Sequence, residues 1–118
     1  MIIALVGATP KKNKWAYKIM KKLIEEGHEL YLVNPKYERI EHMDCYKDLY
    51  HLPKKPDLVI TVVRPSVTEK VVDQMIDIGL KHIWMQPGSE SEKAIHKAKI
   101  YGIKVTLACM LVESEKND

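Results

Sequence analysis

Residues 5–23 read LVGATPKKNKWAYKIMKKL. This stretch opens with the end of an apolar run and turns at Gly7. It then enters a segment whose apolar residues Ala16, Ile19, Met20, Leu23 and Ile24 recur at helical spacing. A strand, a glycine and a helix start, in that order, gather free backbone N–H groups around one point, where the helix dipole favours an anion. Gly7 permits the sharp turn, Thr9 adds a hydroxyl donor, and Asn13 is the expected helix cap. Six lysines fall within residues 11–22, and no acid precedes Glu25. The first turn of a helix ordinarily prefers acids, so Lys11, Lys12 and Lys14 run against the local rule, and a departure of that kind marks a site. The alternative is a solvated lysine face over a structural turn, and Lys18, Lys21 and Lys22 are read that way.

Working outward, IIALV (Ile2–Val6) is a continuous apolar run, as expected of a strand buried on both faces of a parallel sheet. Four further strands are expected at Leu30–Val33, Leu58–Val63, Ile83–Met85 and Lys104–Ala108. A second helical stripe comprises Val67, Val71, Val72, Met75 and Ile78, with SVTE (Ser66–Glu69) at capping-box spacing. A weaker third stripe comprises Ala94, Ile95, Ala98 and Tyr101. The segments EEGHELYLV, DIGLKHIWM and IYGIKVTLA repeat one joint: helix end, glycine, strand. Gly27, Gly79 and Gly102 fit the left-handed position that ends a helix. Residues 38–56 are the least regular, with room for one short helix before Pro53. The plan is an α/β open parallel sheet of about five strands with helices on both faces, for which the order 3-2-1-4-5 is expected. Ligands in such sheets lie at the carboxyl ends of the strands where the winding reverses, here expected between the first and fourth strands.

The chain has 118 residues, 46% hydrophobic and 30% charged, with a net charge of +3. That suits one globular domain over residues 1–113, with residues 114–118 expected as a disordered tail. No apolar run approaches the ~20 residues of a membrane span, and the N-terminus lacks the basic region of a signal peptide, so a cytoplasmic location is expected. Neither nucleic acid nor membrane is an expected partner; a partner chain or a second copy is compatible with the sequence. Cys45 and Cys109 are too far apart for a disulfide framework or a metal spacing. The five histidines have no ligand spacing, and neither a nucleophile elbow nor an HExxH motif occurs. No catalytic residue and no metal site is therefore expected, which makes an enzyme the less favoured reading.

Four segments arrive at the expected site: GATPKKN, NPKY, VRPS and QPGSES. The second bears on the ligand. A site for an unphosphorylated dinucleotide ribose calls for Asp or Glu after the second strand. This chain has Asn34-Pro35-Lys36-Tyr37, where Lys36 favours a phosphate. The ribose is then phosphorylated, as in the 2′-phosphate of NADP or the 3′-phosphate of coenzyme A. The missing second and third glycines count against a dinucleotide pyrophosphate. Tyr37 is either a stacking face or an ordinary half-buried tyrosine. Arg64, one of two arginines, either binds phosphate or pairs with an acid. Gln86 suits an amide-bearing ligand arm, Gly88 a turn, and Ser89 or Ser91 the next helix cap. Cys45 reads as structural. Cys109 is either a small buried hydrophobe or, beside a thiol ligand, a candidate for a mixed disulfide.

VGATPKKNKWAYKIMKKL, VNPKY, CYKDL, WMQPG and CMLVE fall in an order and spacing that resembles the small CoA-binding domain family, itself similar to the CoA-binding domain of the succinyl-CoA synthetase alpha subunit. The resemblance runs from about residue 2 to residue 113. It implies a Rossmann-like fold with coenzyme A across the strand ends. It implies that Gly7, Ala8, Thr9, Pro10, Lys11 and Lys12 approach the phosphates, and that Asn34, Pro35, Lys36 and Tyr37 lie along the adenosine. Val63, Arg64 and Pro65 would flank the ligand, with Gln86 near the pantetheine arm. The family often has Asp-Arg before the late cysteine; Leu107 and Ala108 stand there, while Cys109 and Glu113 match. Three functions are compatible with these features. The first is a coenzyme A or acyl-CoA binding protein without catalysis; the second, a CoA-binding subunit of a ligase or transferase completed by another chain; the third, an NADP-binding regulator or reductase.

Overall fold

The computed structural model describes residues 1–111; the expected tail and Glu113 lie outside them. The elements are β1 (Ile2–Val6), α1 (Trp15–Glu25), β2 (Glu29–Val33), β3 (Arg39–Ile40), β4 (Met43–Tyr46), a single 3-10 turn (Leu49–His51), β5 (Leu58–Thr61), α2 (Pro65–Ile78), β6 (His82–Met85), α3 (Glu92–Ile100) and β7 (Lys104–Leu107). The seven strands form one sheet in the order β3-β4-β2-β1-β5-β6-β7, parallel except for the β3–β4 pair.

Two expectations about the sheet need correcting. It has seven strands instead of about five, and the expected third strand, β5, pairs with β1 and not with β2. The place beyond β2 is taken by β4, whose sequence MDCY carries little apolar signal and meets β2 through only two residue pairs, Leu32–Cys45 and Val33–Tyr46. With β4 counted as third, the six strands from β4 to β7 follow the 3-2-1-4-5-6 order of a doubly wound sheet. The reversal of winding therefore falls between β1 and β5, the first and third of the expected strands. β5 also stops at Thr61, two residues short of the expected end.

Strand alternation splits the core into two layers. Ile3 and Leu5 face α1 and pack with Ile19, Met20 and Leu23. Ala4 and Val6 face the other way, onto Val71, Val72 and Met75 of α2 and Ala94 and Ala98 of α3. A strand buried on both sides needs a continuous apolar run, which is why IIALV lacks polar alternation. In α1 the buried stripe includes Tyr17, while Ile24, expected inside, is 43% exposed. The β3–β4 hairpin is tied to α1 through Glu41, which takes hydrogen bonds from the Tyr17 hydroxyl and from Lys21 Nζ, the latter at 2.8 Å. Glu41 sits at φ 55°, a left-handed conformation rare outside glycine.

Helix ends follow the sequence in part. Gly79 ends α2 at φ 87°, where its N–H reaches the Met75 carbonyl at 2.8 Å. Ser91 caps α3, accepting from the Ala94 N–H at 3.1 Å. Two expected caps do not form. Lys14, not Asn13, occupies the cap position of α1, and Arg64 that of α2, each without a side-chain cap bond. Pro65 at the first position of α2 sets its start, which places Ser66 inside the helix. Glu69, the intended acid of the capping box, instead accepts from the Ser91 hydroxyl at 2.8 Å.

Candidate functional site

The loops after β1, β2, β5 and β6 meet at one rim of the sheet. Its floor is an extension of the strand ladder. The N–H groups of Gly7, Asn34, Val62 and Gln86, each the first residue beyond its strand, donate to Val33, Tyr46, Val6 and Thr61 carbonyls at 2.9–3.0 Å. Gly7 has φ 100°, and a Cβ there would lie 2.4 Å from the Val62 carbonyl oxygen and 2.8 Å from Val63 Cγ1. The glycine is thus required by the close approach of the backbone just after β5, before any ligand is considered.

Asn34 joins two of the loops. Its Nδ2 donates to the Ala8 carbonyl at 2.9 Å, and its Oδ1 accepts from the Lys36 N–H at 2.9 Å, closing an Asx turn. Thr9 Oγ1 accepts from the Lys11 N–H at 3.2 Å, which leaves its own hydrogen free as a donor.

Two adjoining clefts open above this floor, each about 300 Å³. Gly7, Thr9, Lys11, Asn34, Lys36 and Tyr37 line the first; Gly7, Asn34, Pro35, Lys36, Val63 and Arg64 line the second. Four cations, Lys11, Lys14, Lys36 and Arg64, border the pair, and no carboxylate does. None of the four takes part in an ion pair among the described residues. Two helices, α1 and α2, start at this rim without a side-chain cap and without an acid in the first turn. By contrast α3 has both Ser91 as cap and Glu92 in its first turn. Uncapped helix starts, free N–H groups and cations without an ion-pair partner among the described residues give these clefts the chemistry that suits a multiply charged anion.

The remaining candidates lie at graded distances from the clefts. Gln86 lines a separate, smaller cavity with Trp15, Val62, Pro87 and Cys109. Ala8 is fully buried beneath the loop and contributes its carbonyl to Asn34. Pro10, Lys12 and Pro65 are exposed and outside the cleft walls. Trp15 and Val62 were not expected at the site, yet they line both the first cleft and the smaller cavity. The signal for Trp15 was a large aromatic at the start of α1, on the solvent side of its stripe: it is 60% exposed. Cys45 is buried, which pushes its thiol up, with Sγ 3.6 Å from the Asn34 carbonyl. Among the described residues no group of three His, Cys, Asp or Glu is placed to hold a metal ion.

The sheet order and its two helical layers define a Rossmann-like α/β domain. Within that class the chain belongs to the CoA binding domain family, whose model matches residues 2–115. A hypothetical protein from Pyrococcus horikoshii OT3 superposes with a TM-score of 0.93 at 38% identity, over 97% of this chain and 81% of that one. Acetate–CoA ligase (ADP-forming) I of Archaeoglobus fulgidus is 29% identical over 114 residues, 88% of this chain and 17% of the relative. The acetate–CoA ligase (ADP-forming) I subunit alpha of Pyrococcus furiosus is 29% identical over 119 residues, 87% of this chain and 26% of the relative. The chain thus spans about a quarter or less of the length of these ligases.

Proposed function

We propose that this chain binds coenzyme A or an acyl-CoA at the strand ends and carries no catalytic machinery of its own. The observation that carries the reading is the paired cleft: among the described residues it has four cations outside any ion pair, two uncapped helix starts and no carboxylate. Coenzyme A bears a pyrophosphate and a 3′-phosphate, and the cleft's charge suits both. In this reading the loop of Gly7, Ala8, Thr9, Pro10, Lys11 and Lys12 holds the pyrophosphate. Asn34, Pro35, Lys36 and Tyr37 hold the adenosine, with Lys36 on the 3′-phosphate. Val63, Arg64 and Pro65 flank the ligand. No described helix is long and apolar enough to cross a membrane, and the cytoplasm is the proposed location.

Calorimetric titration with coenzyme A, beside dephospho-CoA, NADP and NAD, tests the reading. Saturable binding of coenzyme A, tighter than that of dephospho-CoA, is expected. Binding of NADP without coenzyme A would replace it with the regulator or reductase reading.

A second reading has its own support. The Pyrococcus furiosus relative is named as a subunit, and this chain matches 26% of it. In that reading the domain presents coenzyme A to a catalytic chain, and acyl-CoA formation from acid, coenzyme A and a nucleoside triphosphate appears only on mixing the two.

A further inference from the structure

Beside the paired cleft lies a cavity of about 170 Å³ bounded by Trp15, Val62, Gln86, Pro87 and Cys109. Its polar groups are unusual in one respect. Gln86 is 4% exposed, and its backbone is held by the Thr61 carbonyl and the Ser89 hydroxyl at 3.0 and 2.7 Å. Its Oε1 accepts from the Met110 N–H at 3.1 Å. Its Nε2, by contrast, is buried with no partner among the described residues. A carboxamide fixed on every other side is thus left with a donor to offer an incoming carbonyl. Cys109, a free thiol neither buried nor fully exposed, lines the same cavity. The backbone just before it is pinned by the Trp84 indole N–H on the Ala108 carbonyl at 2.7 Å. Trp15 and Val62 line both this cavity and the cation-lined cleft, so the two adjoin.

We propose that this cavity is a thiol–disulfide exchange site, at which Cys109 takes up coenzyme A from coenzyme A disulfide. The inference rests on the coenzyme A reading above and adds a covalent step to it. The last amide carbonyl of the pantetheine arm accepts from Gln86 Nε2, which brings the sulfur end toward Cys109. Cys109 first loses its proton to solvent. Its thiolate attacks one sulfur of the disulfide, the S–S bond breaks, and a new bond joins Cys109 Sγ to that half. The other half departs as a thiolate and takes a proton from water. Cys109 is oxidised to the mixed disulfide as one coenzyme A is reduced to its thiol, so no further oxidant is needed. Cys45 has no such opening: it is 8% exposed and lines none of the cavities described here.

The test mixes the reduced chain with coenzyme A disulfide and, in parallel, with glutathione disulfide, and follows intact mass and peptide maps over time. The expected result is one coenzyme A adduct on Cys109, reversed by dithiothreitol and retained in Cys45→Ser. It should form at least about tenfold faster than the glutathione adduct, because the nucleotide raises the local concentration of the disulfide. Gln86→Leu also removes the acceptor for the Met110 N–H beside Cys109, so both reactions respond to it, and the coenzyme A reaction should slow more than the glutathione reaction. Equal rates for the two disulfides, or no adduct on Cys109, overturn the proposal; this comparison uses the unaltered chain and stands even where the Gln86 variant fails to fold. Calorimetry of the reduced chain with reduced coenzyme A separates the two levels. Binding without exchange overturns only the covalent step, and absence of binding overturns both.

Discussion

Asn34 Nδ2 donates to the carbonyl of Ala8 at 2.9 Å, across 26 residues of chain, and in doing so fastens the loop after β2 to the loop after β1. Replacing it with alanine removes this bond and the Asx turn on Lys36, at a cost of roughly 1–2 kcal/mol in urea unfolding. Coenzyme A affinity should fall with it. Asn34→Asp keeps an acceptor for the Lys36 N–H, yet sets an acid against the Ala8 carbonyl and in a cleft that has none. Calorimetry should rank coenzyme A affinity as wild type, then Asn34→Ala, then Asn34→Asp.

Lys36 lies in both clefts and joins no ion pair among the described residues. If it meets the 3′-phosphate, Lys36→Ala weakens coenzyme A by about tenfold, the worth of one charge-assisted contact, and weakens dephospho-CoA much less. Equal losses for the two ligands would remove Lys36 from the 3′-phosphate.

Gly7 makes a different kind of prediction. The family resemblance sets Gly7 beside the phosphates. The structure supplies an earlier obstacle, since a Cβ would meet the Val62 carbonyl at 2.4 Å. Gly7→Ala should therefore cost roughly 3 kcal/mol of stability from strain and backbone displacement. Denaturation without ligand reads that loss directly; an unchanged unfolding midpoint would return Gly7 to a purely ligand-facing role.

Thr68 is fully buried in α2, and its hydroxyl has no partner among the described residues. Thr68→Val keeps the shape and the branching at Cβ while deleting the orphan group. A gain of roughly 1 kcal/mol in unfolding free energy is expected, with coenzyme A affinity unchanged. A loss of stability would show that the hydroxyl is hydrated or bonded in solution.

Acid should lower the stability of the domain in two pH windows. Burial holds the His82 imidazole below its usual 6.5, so the protonated form is disfavoured in the fold. Its contribution is complete above 6.5 and declines as pH falls through the lower folded value. The Lys21 ammonium and then the Tyr17 hydroxyl hold the Glu41 carboxyl below its usual 4.5. That contribution is intact above 4.5 and is lost below it. Glu41→Gln should lower the urea midpoint at about pH 7 and lose its disadvantage relative to wild type near about pH 3. A difference between the two that stays constant with pH would show that Glu41 acts through its left-handed turn, not through its charge.

The sequence made the central strands plain because burial on two faces demands unbroken apolar runs, as in IIALV and LVIT. It also named the four loops of the rim, since strand ends are a property of order along the chain, but it set the reversal of winding one strand too late. What it concealed was β4. A short strand near the sheet's edge buries little and needs no apolar run, so MDCY read as irregular and the expected strand order slipped by one place. Within the site, the lysines were legible as charge without acid. Trp15 was not, because its importance comes from where the start of α1 lies relative to Val62, a relation across the fold that no local spacing records. The capping box at Ser66 failed for a similar reason: Pro65 started the helix earlier, and Glu69 found Ser91.

The ladder that runs one residue beyond β1, β2, β5 and β6 has a consequence for dynamics. Amides held in the sheet's own hydrogen bonds open with the sheet, so the floor of the rim should exchange with deuterated solvent as slowly as the central strands. A ligand arriving there meets backbone whose ordering was completed during folding. The span above the floor, from Thr9 to Lys14, lies outside that ladder and should exchange faster. On the proposed reading the domain would be a socket and not a jaw: association would order long lysine side chains, while the frame that positions them belongs to the folding transition itself.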